Sequence, residues 1–129
     1  MYNVTVSTGE FTGEIPVKAG ESIQAGGLFG VDANGHAVNI AASGVAKVAG
    51  RAEHDADNTG GGDGDISVLA RRAALHLDNS AAAPVTKAHF GSPVYAEDAQ
   101  TVRFDQSDAE AIAGTFLGFD SAGLPIVLV

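Results

Sequence analysis

Two turns built alike constrain this chain more than any other feature: Gly30-Val31-Asp32-Ala33-Asn34-Gly35 near the start and Gly118-Phe119-Asp120-Ser121-Ala122-Gly123 near the end. In each, Asp suits the first turn position because its carboxylate accepts a backbone N–H. Gly suits the fourth because it tolerates positive φ. Short apolar runs flank both turns, which predicts two hairpins. Leu28 to Val31 returns as His36 to Ile40, and Thr115 to Phe119 returns as Leu124 to Val129.

The remaining segments extend the β reading. Tyr2, Val4 and Val6 alternate with Asn3, Thr5 and Ser7, the pattern of a strand, and residues 1–13 read as an extended N-terminal arm before a β domain over 14–129. Glu14 to Lys18 predicts a short strand whose Pro16 lacks a ladder donor, which places it at a sheet edge or beside a bulge. Ala19 to Glu21 predicts a turn, Gly44 to Ala52 a strand, and His54 to Asp65 a loop. Ile66 to Leu77 fits helical spacing through Leu69, Ala73 and Leu77. It also fits a strand whose phase changes at Arg71-Arg72, as a β-bulge would cause. Asp78 to Ser80 reads as a turn, and Pro93 to Ala96 with Thr101 to Phe104 as a hairpin. Gln106 to Ala113 reads as a short helix capped by Ser107 or Asp108, with Glu110 in its first turn. The sum is an all-β chain, a single small β-barrel or β-sandwich with at most one short helix.

A length of 129 residues suits one domain and buries roughly two-thirds of the surface the unfolded chain exposes. With no cysteine, disulfides, thiolate zinc sites and cysteine nucleophiles are excluded, and manufacture in a reducing cytoplasm is expected. No apolar run approaches the roughly 20 residues that cross a bilayer, and the start lacks the pattern of a secretion signal, so neither a membrane partner nor export by that route is expected. Sixteen acidic residues against seven basic ones give a formal charge of −9, whose field repels phosphates; nucleic acid is not an expected partner.

Arg71-Arg72-Ala73-Ala74-Leu75-His76-Leu77-Asp78-Asn79-Ser80, Val85-Thr86, Gly91-Ser92-Pro93-Val94-Tyr95-Ala96-Glu97-Asp98-Ala99-Gln100-Thr101-Val102 and Ala113-Gly114 with the closing hairpin resemble the head decoration, or capsid cement, proteins of tailed bacteriophages. The likeness covers about the last 60 residues well and the first half in outline. It implies a small non-enzymatic β protein, commonly trimeric, on the outer surface of an icosahedral shell at its symmetry axes, with the major capsid protein and itself as partners. It also implies strand over Ile66 to Leu77. The expected location is the virion surface after synthesis in the bacterial host cytoplasm.

The candidate interface residues for capsid or self contact are Tyr2, Val4, Val6 and Phe11, an arm suited to adding a strand to a partner sheet. Phe29, Phe90 and Tyr95 are further aromatic candidates whose ordinary role is packing. The sharpest chemical candidate is the loop from His54 to Asp65. Its Gly61-Gly62-Asp63-Gly64-Asp65 partly matches the calcium-binding β-roll repeat, which makes Asp55, Asp57, Asp63 and Asp65 candidate calcium ligands. The alternative function is thus a virion-surface or secreted binding module using this loop for calcium or glycan. One copy is not an array, so no metal and no cofactor is expected. His36, His54, His76 and His89 lack zinc-site spacing, and no nucleophile elbow or phosphate loop occurs; no catalytic residue is assigned.

Overall fold

The computed structural model describes residues 11–106 and 110–129. Among these residues thirteen short strands run in chain order: β1 (Phe11–Pro16), β2 (Ser22–Ile23), β3 (Leu28–Val31), β4 (Ala37–Asn39), β5 (Lys47–Ala52), β6 (Ala56–Asp57), β7 (Ser67–Arg72), β8 (Ala74–His76), β9 (Asp78–Asn79), β10 (Pro93–Ala96), β11 (Thr101–Arg103), β12 (Ile112–Phe119) and β13 (Pro125–Leu128). A 3-10 turn covers Lys87–His89. The strands form a five-stranded sheet ordered β1-β7-β5-β3-β4, a six-stranded sheet ordered β8-β13-β12-β10-β11-β9, and a two-stranded ribbon β2-β6. The all-β expectation holds, in the sandwich form.

Alternation of side chains divides the interior in two. Leu28 of β3 and Val48 of β5 face the six-stranded sheet and join Leu75, Val94, Val102, Phe116 and Val127 in one cluster. Their neighbours Phe29 and Ala49 turn to the other face and pack with Val17, Ala37, Val68 and Ala70. The ribbon adds Ile23 and Ala56 to this second cluster. Phe29 and Phe116, both fully buried, anchor the two cores. Truncating either to Ala removes about 3 to 5 kcal/mol of stability.

Both signature turns form as the sequence predicts. Gly35 N–H donates to Asp32 O, and Gly123 N–H donates to Asp120 O, each at 3.0 Å, with φ of +82° and +84° at the two glycines. Asp32 Oδ1 accepts from the amides of Asn34 and His36, and Asp120 Oδ1 accepts from those of Ala122 and Leu124. The second oxygen of each carboxylate reaches a basic side chain on another segment. Asp32 Oδ2 lies 3.9 Å from Lys18 Nζ, and Asp120 Oδ2 lies 2.6 Å from His76 Nδ1.

β1 is an edge strand, as Pro16 requires, but it begins at Phe11, so residues 11–13 of the expected arm belong to the five-stranded sheet. The chain leaving β1 crosses to the opposite edge, where Val17 bridges Ala37 of β4 and Lys18 N–H donates to Ala37 O. The sheet therefore curls around its core, and one bridge takes the place of a closing ladder.

Three expectations are corrected. The phase change at Arg71-Arg72 is real, but its cause is a change of sheet and not a bulge: β7 pairs with β1 and β5, then Ala73 bends and β8 pairs with β13. Val68 and Ala70 thus face one core and Ala73, Leu75 and Leu77 the other. Asp78 and Asn79 are not a turn. They pair in parallel with Thr101 and Val102 because Asn79 holds the following loop closed by donating to Val85 O and accepting from Val85 N–H. The helix expected over Gln106 to Ala113 ends in strand, since Ile112 and Ala113 open β12; its caps Ser107 and Asp108 lie outside the described residues.

Candidate interaction surface

The six-stranded sheet has one face on the core and one in solvent. Phe116, Val127 and Leu75 form a row across β12, β13 and β8 that is wholly buried. The adjacent row runs Pro93, Thr115, Leu128, Ala74 and faces out. A solvated sheet face is normally polar. Here Ile112, Leu117 and Leu128 stand 51%, 39% and 45% exposed on it, with Tyr95 half-buried opposite Ile112. This concentration of aliphatic side chains on an open sheet face makes it the candidate interaction surface. The sequence signal for it was present in the near-continuous apolar run Ile112 to Phe119, where an alternating strand would place polar residues.

Of the sequence-derived interface candidates, Tyr2, Val4 and Val6 lie outside the described residues. Phe11 opens β1 opposite Arg72. Phe29 is core. Phe90, which follows the 3-10 turn, is 68% exposed, while nearby His89 stacks on Phe104 with ring centroids 4.8 Å apart.

The acidic loop is organised by one buried amide. Asn58 Nδ2 faces the carbonyls of Val17, Lys18 and Gly62 at 2.9 to 3.1 Å. Its own carbonyl accepts from Gly20 and Gly61 N–H, and its N–H donates to Glu21 O. The loop is thereby fastened to the chain between β1 and β2. Its carboxylates serve separate backbone groups: Asp55 accepts from Ala25 N–H, Asp57 from Thr59 N–H and Oγ1, Asp63 from Ala19 N–H, and Asp65 from Gly62 N–H. Among the described residues no three His, Asp or Glu side chains converge as a metal group would need. The loop also contains a short strand, β6, paired with β2. His54 fixes its far side: Nε2 accepts from Leu69 N–H, so Nδ1 donates to Asp55 O.

Among the described residues, three carboxyls are lowered at such caps and one arginine is raised in an ion cluster. The hydroxyl and amide of Thr59 hold the Asp57 carboxyl below its ordinary range. The His36 amide, then that of Asn34 with Lys18, lowers Asp32. The His76 ring, then the Leu124 amide, lowers Asp120. Arg103 is raised, first by its hydrogen bond to Asp105 and then by Glu110 and Glu97. Its guanidinium reaches Asp105 at 3.0 Å, Glu97 at 3.4 Å and Glu110 at 3.5 Å. Glu97 also accepts from Ser80 Oγ at 2.6 Å, so this cluster ties β10 and β11 to the loop after β9. Each shift has a structural cause in a turn, a cap or an ion pair.

The class defined by these features is a mainly antiparallel β-sandwich with an added two-stranded ribbon, an apolar outer sheet face and an acidic, internally capped loop. No family model, curated protein or solved structure matches the chain.

Proposed function

We propose that the chain is a structural decoration protein that binds the outer surface of a tailed-phage capsid and stabilises it. The observation that carries this reading is the open face of the six-stranded sheet, where Ile112, Leu117 and Leu128 are held by a rigid sheet and left without a partner among the described residues. It is supported by the resemblance of residues 71–129 to cement proteins, the same stretch that builds the six-stranded sheet. A cement protein needs no chemistry. It binds the assembled shell and not its separate subunits, and so stabilises the shell by mass action. Trimerisation multiplies contacts of modest strength through effective concentration. The negative charge opposes self-aggregation at the high local concentration of a decorated shell.

The test is a binding assay with shells of the encoding virus that lack the protein. Saturable loading, and greater resistance of the loaded shells to heat or chelator, is expected. Shells that neither bind the protein nor gain resistance overturn the reading.

A further inference from the structure

The curl of the five-stranded sheet leaves its second core open on one side. There Gly13 and Ile15 of β1, Ala70 of β7, Ala49 of β5 and Val31 of β3 surround a depression of about 270 Å3, and Lys47 and Arg72 complete its wall. No residue of the β2-β6 ribbon lines it. Ile15 and Val31 are only half-buried, so apolar surface continuous with the core remains in water. Gly13 keeps the opening wide: a Cβ there would meet nothing within 4 Å.

The electrostatics of this mouth run against those of the chain. Only seven cations oppose sixteen anions in the whole sequence, yet two of the seven stand on its wall. Lys47 is exposed, opposite Val31 in the ladder. Arg72 lies on the wall with its Nε engaged by Val129 O at 3.4 Å, which leaves Lys47 as the cation that faces a ligand. Of the acidic residues that adjoin lining residues in sequence, Asp32 is turned into its own turn amides and toward Lys18, and Glu14, between Gly13 and Ile15, alternates to the other face of β1.

We propose that this mouth is a binding site for a small amphipathic carboxylate, whose hydrocarbon body lies on Ile15, Val31, Ala49 and Ala70 and whose carboxylate meets Lys47. Apolar contact supplies the affinity and the cation sets the polarity of the ligand. The site is independent of the outer sheet face and of the capsid reading.

Octanoate, hexanoate, octanol and octylamine are the probes, each titrated into the full chain labelled with 15N and followed by amide chemical shifts. Octanoate is expected to move the Gly13, Ala49 and Ala70 amides saturably and to bind more tightly than hexanoate by about three- to fourfold per methylene. Lys47→Glu weakens octanoate about five- to tenfold and reverses the preference toward octylamine. Gly13→Val fills the opening with a residue that strands favour, so it abolishes binding while the melting temperature is kept. Octanol binding as well as octanoate, shifts that never saturate or that centre elsewhere, or a Gly13→Val protein that binds unchanged would each overturn the proposal.

Discussion

His76 on the edge strand β8 and Asp120 in the β12-β13 turn meet at 2.6 Å, so the hydrogen bond that lowers the Asp120 carboxyl also pins an edge strand to the closing hairpin. The ring binds Oδ2 while Oδ1 remains on the Ala122 and Leu124 amides. One carboxylate thus organises both a turn and an inter-strand contact.

The pH dependence follows from the sign of that shift. A carboxyl lowered in the folded state contributes stability above its unfolded pKa, near 3.8, and loses it as pH falls through the folded value. Asp32 and Asp57 shift in the same direction and add to the effect. Melting temperature is expected to hold near neutrality and to fall below about pH 4. Asp120→Asn lowers the neutral-pH value and flattens the acid limb; thermal scans from pH 2.5 to 7 check both.

Asn58 is the residue whose loss the loop tolerates least. Replacing it by Leu leaves the carbonyls of Val17, Lys18 and Gly62 without this donor in a nearly closed space. A loss of about 3 kcal/mol in urea unfolding is expected. Asn58→Asp is expected to be worse, because it turns a carboxylate toward those three oxygens.

Gly114 sets how closely β12 and β13 approach. A Cβ there would fall on the main-chain carbonyl of Leu128, and a backbone carbonyl cannot swing aside as a side chain can. Gly114→Ala should therefore cost about 1 to 3 kcal/mol or more, read from the denaturation midpoint.

The calcium reading of the loop makes its own prediction. Because Asp55, Asp57, Asp63 and Asp65 serve four separate backbone sites, thermal melts in millimolar calcium and in chelator are expected to superimpose. A calcium-dependent rise in melting temperature would show that these carboxylates rearrange around the ion.

The hairpins were legible in the sequence because their chemistry is local: Asp32 with Gly35, and Asp120 with Gly123, settle each turn within four residues. Pro16 marked an edge strand for the same reason. What escaped was set by distant partners. The switch of sheets at Ala73 gives the same change of phase as a bulge, and alternation alone cannot tell the two apart. The parallel pairing of Asp78 and Asn79 depends on Thr101 and Val102 more than twenty residues away. The Asp-rich, Gly-rich composition of the loop did not show that Asn58 and the four carboxylates cap separate backbone groups, because several of those partners lie far off in the chain, at residues 17–25. Thr115 to Phe119 was visible as a strand, while Ile112 and Ala113 read as the end of a helix, and the outward side of β12 became a candidate surface only once β13 and β10 fixed which side faces the core.

The account stands or falls on the outer sheet face. Under the proposed function, the most direct measurement is electron microscopy of shells from the phage that would encode the chain, prepared without the protein and mixed with wild-type chain or with an Ile112→Ser, Leu117→Ser, Leu128→Ser variant. These side chains are partly in water already, so the variant is expected to fold. The account predicts ordered density on the shell exterior for the wild type, with β12 and β13 turned to the contact, and bare shells for the variant. Wild-type protein that leaves the shells bare, or a variant that decorates them as fully, would contradict it.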